Sequence, residues 1–92
     1  VAVAQPPVSY RIVILKSALK SLHGFDAPTQ RRISERIDVL MVQPRGVDAI
    51  KLEGPGAGYR IRVGVYRVVY DIDDATRTVT VRVIDHRRQV YR

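Results

Sequence analysis

The sequence predicts an α+β domain with two N-terminal helices packed on one face of a mainly antiparallel four-stranded sheet, in the order β-α-α-β-β-β. Three observations predict it. Residues 9–15 (SYRIVIL) are β-branched and aromatic, apolar residues then recur at helical spacing as far as Met41, and from Tyr59 onward apolar and polar residues alternate. Helices grouped ahead of a run of hairpins belong together on one side of a sheet. At 92 residues the chain makes a single domain, residues 1–92, large enough to bury a core.

The elements follow in order. After the first strand, Leu15, Leu19 and Leu22 mark a short helix ended by Gly24. A second helix begins near Pro28, a residue tolerated in a first turn, with Asp26 or Ala27 as its cap. Its apolar stripe is Ile33, Ile37, Leu40 and Met41, opposite Arg31, Arg32, Glu35 and Asp38, and Pro44 and Gly46 stop it. A Gly/Pro-rich connection (EGPGAG, residues 53–58) leads to a strand from Tyr59 to Val63. Gly64-Val65 suits a two-residue type II′ hairpin, which wants Gly first. The next strand runs from Tyr66 to Ile72, a turn occupies residues 73–76, and a last strand runs from Arg77 to Ile84.

Composition narrows the function. The net charge is +7, and all but three of the 16 basic residues are arginine. Arginine grips phosphate bidentately and stacks on bases, so the excess points to a polyanionic partner. There is no cysteine, which removes disulfides and thiolate metal sites, and nothing points to a metal or other cofactor. No apolar run approaches the roughly 18 residues of a membrane helix, and residues 1–8 lack the pattern of a signal peptide. A cytoplasmic location with no membrane partner is the simplest expectation.

The hairpin registers carry the charge argument further. A loop at Gly64-Val65 pairs Val63 with Tyr66, and therefore Arg62 with Arg67. A turn at residues 73–76 pairs Ile72 with Arg77, and therefore Arg67 with Arg82. Directly opposed side chains share a face, so Arg62, Arg67 and Arg82 form an expected row with Arg60 beside them. The other face would present Ile61, Val63, Tyr66, Val68, Tyr70, Val79, Val81 and Val83 to the helices. Like charges placed opposite each other are destabilising, and phosphate would neutralise them; long arginines splaying into solvent are the plain alternative.

Residues 59–72 (YRIRVGVYRVVYDI) and the ending from Asp85 (DHRRQVYR) resemble the two signature regions of the RelE/ParE toxin superfamily, and the helical hairpin before Pro44 matches too. The resemblance spans almost the whole chain. It implies a RelE-like fold and the toxin of a type II toxin-antitoxin pair, neutralised by a cognate antitoxin, expected here to be acidic and partly disordered. In the RelE branch it implies an mRNA interferase, a metal-independent endoribonuclease acting on mRNA in the ribosome. There the ribose 2′-OH attacks the adjacent phosphate and expels the 5′-oxygen. Alternatives within the same resemblance are a ParE-like inhibitor of DNA gyrase and an inactive member that only binds the antitoxin.

Carried across by position, the family's paired basic residues fall on Arg60 and Arg62, its phosphate-binding arginine on Arg67, its C-terminal basic site on Arg87, and its terminal tyrosine on Tyr91. Lys51, Arg82 and Arg88 are expected to contact RNA. Several members have lysine where Arg60 and Arg62 stand, and an arginine is a poor general base because it stays protonated. His86 is therefore the first candidate for the base, since its ordinary pKa lies near neutrality, and Asp48 the second, with a ribosome-supplied or water-mediated route as the remaining alternative. Each has a plain reading as well: His86 as a strand cap, Tyr91 as an edge residue, Arg87 and Arg88 as phosphate holders only. His23, at a helix end, is expected to do nothing chemical.

Overall fold

A computed structural model describes residues 9–86. Its elements are β1 (Arg11–Ile14), α1 (Lys16–His23), α2 (Ala27–Val39), β2 (Ile50–Lys51), β3 (Tyr59–Val63), β4 (Tyr66–Asp73) and β5 (Thr78–His86). The strands form one sheet in the order β1-β5-β4-β3-β2, and only the β1–β5 pairing is parallel. The expected architecture is present with five strands where four were expected. The additional strand, β2, has two residues. Alternation cannot register over so short a stretch; only its pairing with Arg60 and Tyr59 makes it a strand.

Each helix has a local cause. Asp26 caps α2 by accepting a hydrogen bond from the Thr29 backbone N–H at 3.0 Å, and Pro28 lies in the first turn, where its missing donor costs nothing. Ile33, Ile37 and Leu40 turn inward as the stripe predicts. Met41 stays 38% exposed because the helix has ended by then. In α1 only Leu22 of the three predicted leucines is buried, with Ala18 in place of Leu15 and Leu19. The small Ala18 lets this short helix lie close on β5.

The core is the layer between helices and sheet. Ile33, Leu40, Ile61, Val68, Tyr70, Val79, Val81 and Ile84 are fully enclosed in it. Tyr70 brings a hydroxyl into that layer and satisfies it by donating to the Pro44 carbonyl at 2.7 Å. That bond ties the segment after α2 to the middle of the sheet.

The two hairpins differ in how closely they follow the expected register. β3 and β4 pair as expected, Val63 with Tyr66 and Arg62 with Arg67. Gly64 stands at φ 62, the left-handed value a type II′ turn needs at its first position, while Val65 stays out of that region. The β4–β5 register differs from expectation in two ways. Asp73 remains in the strand and Arg77 enters the turn at φ 55, so Ile72 faces Val79 where Arg77 was expected. A bulge follows: Tyr70 pairs with Val81 but Val69 with Val83, which leaves Arg82 as the extra residue. Beyond the bulge the inward residue is therefore Ile84, and Val83, expected in the core, faces away from the helices.

Candidate functional site

Among the described residues no helix covers the other face of the sheet, and the arginines collect there around the buried Val69. Arg62 and Arg67 are direct neighbours across β3 and β4. In a two-residue hairpin the pair next to the turn takes the hydrogen bonds. The next pair is therefore the non-hydrogen-bonded kind, with Cα atoms about 4.5 Å apart and side chains close together. Arg62 is exposed, while Arg60 and Arg67 are half-buried on the same face. Two guanidinium groups held this closely make a site for a doubly contacted anion, because each cation relieves its repulsion by sharing the anion.

The expected row does not extend to Arg82. Asp85 stands opposite Arg67, and its Oδ1 lies 3.4 Å from the Arg67 Nε. The turn displaced the register by two residues, which keeps every side chain on its face, and the bulge added one more. Arg82 is still on the arginine face, but it is engaged with the fold. Its Nη2 donates to the Ala57 carbonyl at 2.6 Å, and its Nε lies 3.0 Å from Asp71 Oδ2 as an ion pair. Gly58 sits against this arginine: a Cβ there would come within 2.5 Å of the Tyr70 carbonyl and 2.9 Å of Arg82 Nη2. Arg82 thus holds the 53–58 loop, a use that corrects its expected part in an arginine row.

Other expected residues separate as well. His86 pairs with Tyr66, and their rings meet edge-on at 5.3 Å between centroids, on the side of the sheet where Tyr66 also meets Phe25. It therefore faces away from Arg67, whose partner on the arginine face is the preceding residue. Asp48 is ion-paired with Arg36 of α2, on the helical side. Lys51 lies at the sheet edge opposite Tyr59, on the face that Arg60 does not share. Of the sequence candidates, Arg60, Arg62 and Arg67 come together; Arg87, Arg88 and Tyr91 lie outside the described residues.

Sequence reasoning missed Asp85 as a site residue although it begins the quoted C-terminal motif, because only the bulge sets its face. It also missed a polar cluster at the far end of the strands. There Arg45 donates to both carboxylate oxygens of Asp74, at 3.1 and 2.9 Å, and to the Tyr59 hydroxyl at 3.1 Å. Tyr10 donates to Asp74 at 2.6 Å. Hydrogen bonds from Arg45 and Tyr10 hold the Asp74 carboxyl below its ordinary pKa, and the bond to Asp74 raises the Tyr10 phenol. This cluster ties the segment after α2 to the β4–β5 turn and lies away from the arginine pair. Among the described residues no group of three or more His, Cys, Asp or Glu could hold a metal ion. No helix among them is long and apolar enough to cross a membrane.

Residues 12–91 match the family described as the ParE toxin of the type II toxin-antitoxin system parDE. A candidate RelE1 toxin of Methanocaldococcus jannaschii is 27% identical over 88 residues, which span 92% of this chain and 98% of that protein. The fold superimposes on RelE in the archaeal RelE-RelB complex from Pyrococcus horikoshii OT3 with a TM-score of 0.74 and 33% identity, over 86% of this chain and 96% of the other. The toxin-antitoxin complex RelBE2 of Mycobacterium tuberculosis gives 0.77 and 27% identity, over 87% and 100%.

Proposed function

The chain belongs to the RelE/ParE superfamily of type II toxins, and we propose that it is a ribosome-dependent endoribonuclease that cuts mRNA by 2′-OH attack on the adjacent phosphate. The observation that carries this reading is the Arg62–Arg67 pair on the sheet face opposite the helices, with Arg60 beside it. Transfer of a phosphoryl group between oxygens needs charge stabilisation above all. The pentacoordinate phosphorane bears one more negative charge than the diester, so fixed guanidinium groups favour it over the ground state. In this reading Arg67 holds a non-bridging oxygen, Arg62 and Arg60 grip the neighbouring backbone, and Arg87, Arg88 and Tyr91 engage the nucleotide or rRNA. RelE-type relatives were crystallised with their antitoxins, which supports a cognate antitoxin for this toxin too. With a +7 toxin, that partner is proposed to be acidic and to fold on binding.

A second reading has its own observation: the family model that covers the chain is the ParE one, which favours a gyrase poison. Such a protein needs a complementary protein surface and has no use for a paired-arginine phosphate clamp. The two are separated by running purified toxin on ribosomes carrying a defined mRNA beside a DNA gyrase supercoiling assay. Cleavage within the ribosome-protected codon, lost in Arg67→Ala, is the expected result. Inhibited supercoiling with intact mRNA would replace the first reading by the second.

A further inference from the structure

The proposed reaction needs an acceptor for the 2′-OH proton, and none of Arg60, Arg62 and Arg67 can serve, since guanidinium groups stay protonated. The two acceptors expected from sequence are elsewhere: His86 faces the helical side beside Tyr66, and Asp48 is engaged by Arg36. We propose that Asp85 is the general base, an inference that rests on the ribonuclease reading.

Three observations place it there. Asp85 is the carboxylate opposite Arg67, with 3.4 Å between Oδ1 and Nε, so a phosphate held by the terminal nitrogens of Arg67 lies within one nucleotide of the carboxylate. Its side chain is a quarter exposed, as is that of Arg67, so the pair is reachable from solvent. β1 ends at Ile14 opposite Val81, and among the described residues no strand neighbours the outer edge of β5 from Arg82 to His86. Among the described residues, the charged or titratable groups near Asp85 are Arg67 from β4, Lys20 from α1, and Arg82 and His86 from its own strand. Asp71, the other carboxylate among these arginines, is taken up by Arg82 on the far side of the bulge.

Asp85 takes the proton from the 2′-OH as that oxygen bonds to phosphorus, and the bond from phosphorus to the 5′-oxygen breaks. The departing oxygen is protonated by solvent, and Asp85 then returns its proton to solvent. The 2′-OH becomes more acidic as its bond to phosphorus forms, which eases transfer of its proton to a carboxylate.

Asp85→Asn provides the test, because an amide keeps the shape and the oxygen that accepts from Arg67 but cannot take the proton. In single-turnover cleavage on programmed ribosomes we expect kcat to fall roughly 10²- to 10⁴-fold with KM changed less than about threefold. The acidic limb of the pH–kcat profile should disappear in the residual activity. Asp85→Ala should be equally slow and partly restored by added formate, a small carboxylate that fits the vacated space. Wild-type rates in Asp85→Asn would overturn the proposal and leave Asp85 as a partner of Arg67 only. Slow turnover without formate rescue, together with a displaced Arg67 Nε–H signal in NMR spectra, would overturn it in favour of an orienting role. Failure of the wild-type protein to cut mRNA on ribosomes would instead overturn the ribonuclease reading beneath it.

Discussion

Arg67 and Tyr70 lie three residues apart on β4 and face opposite sides of the sheet, so changes at them separate chemistry from folding. Replacing Arg67 by Ala should slow cleavage by about two to three orders of magnitude, the scale of losing one preorganised charge donor. Ribosome binding should weaken much less, because other arginines also meet phosphate, and a filter-binding titration beside the cleavage assay checks both. Replacing Tyr70 by Phe should leave cleavage alone and cost about 1 kcal/mol in urea unfolding, through the lost bond to Pro44. Tyr70 also predicts an alkaline weakness. Burial pushes its phenol from 10.0 up to about 12, so the folded state holds the proton more tightly than the unfolded chain. The stability this represents is complete below pH 10.0 and is lost as pH rises through about 12. Thermal melts at pH 9 and 11 should therefore show a smaller loss for Tyr70→Phe than for the parent. At this scale the sequence was legible for Arg60, Arg62 and Arg67, whose partners are set by a two-residue turn next to them. It was not legible for His86, which was chosen for its chemistry alone, while its face depends on a bulge several residues upstream.

Elements were legible in proportion to their length and their caps. The second helix could be read from Asp26, Pro28 and its stripe, whereas β2 could not, because a two-residue strand exists only through its partner. Asp26 offers a check on the cap: hydrogen bonding to the Thr29 side chain, and then to its backbone N–H, holds the carboxyl below the ordinary 3.8, so its contribution is present above that value and fades as pH falls through the lower folded one. Asp26→Ala should lower Tm by a few degrees at pH 7, with the difference from the parent vanishing in acid. The 53–58 loop gives a sharper test. Gly58 stands at φ 81 and has the Tyr70 carbonyl where a side chain would go, so both conformation and space require glycine. Gly58→Ala should destabilise by more than about 1 kcal/mol, and hydrogen exchange should quicken first in the loop and at the start of β3. The sequence marks that loop by its glycines, but not the Arg82 contact that holds it.

As a whole, the molecule sets helices on one side of a sheet and leaves the other to charge, and with +7 overall that division governs how it meets a polyanion. Binding to ribosomes or to a short RNA should fall linearly on a log–log plot against salt, and Arg62→Ala should reduce the slope by about one. An unchanged slope would remove Arg62 from the contact surface. The division itself could be read from the alternation after Tyr59; what could not be read was where that alternation is interrupted. The interruption in β5 also has a consequence for how such a protein can change. Residues before Arg82 answer to β1 and the hydrophobic layer; after it, Asp85 faces Arg67 on the arginine side while Ile84 and His86 still face the helices. A one-residue slack between them works like a slip joint. Substitutions that tune the half paired with β1 need not be transmitted to the half that sets Asp85 opposite Arg67.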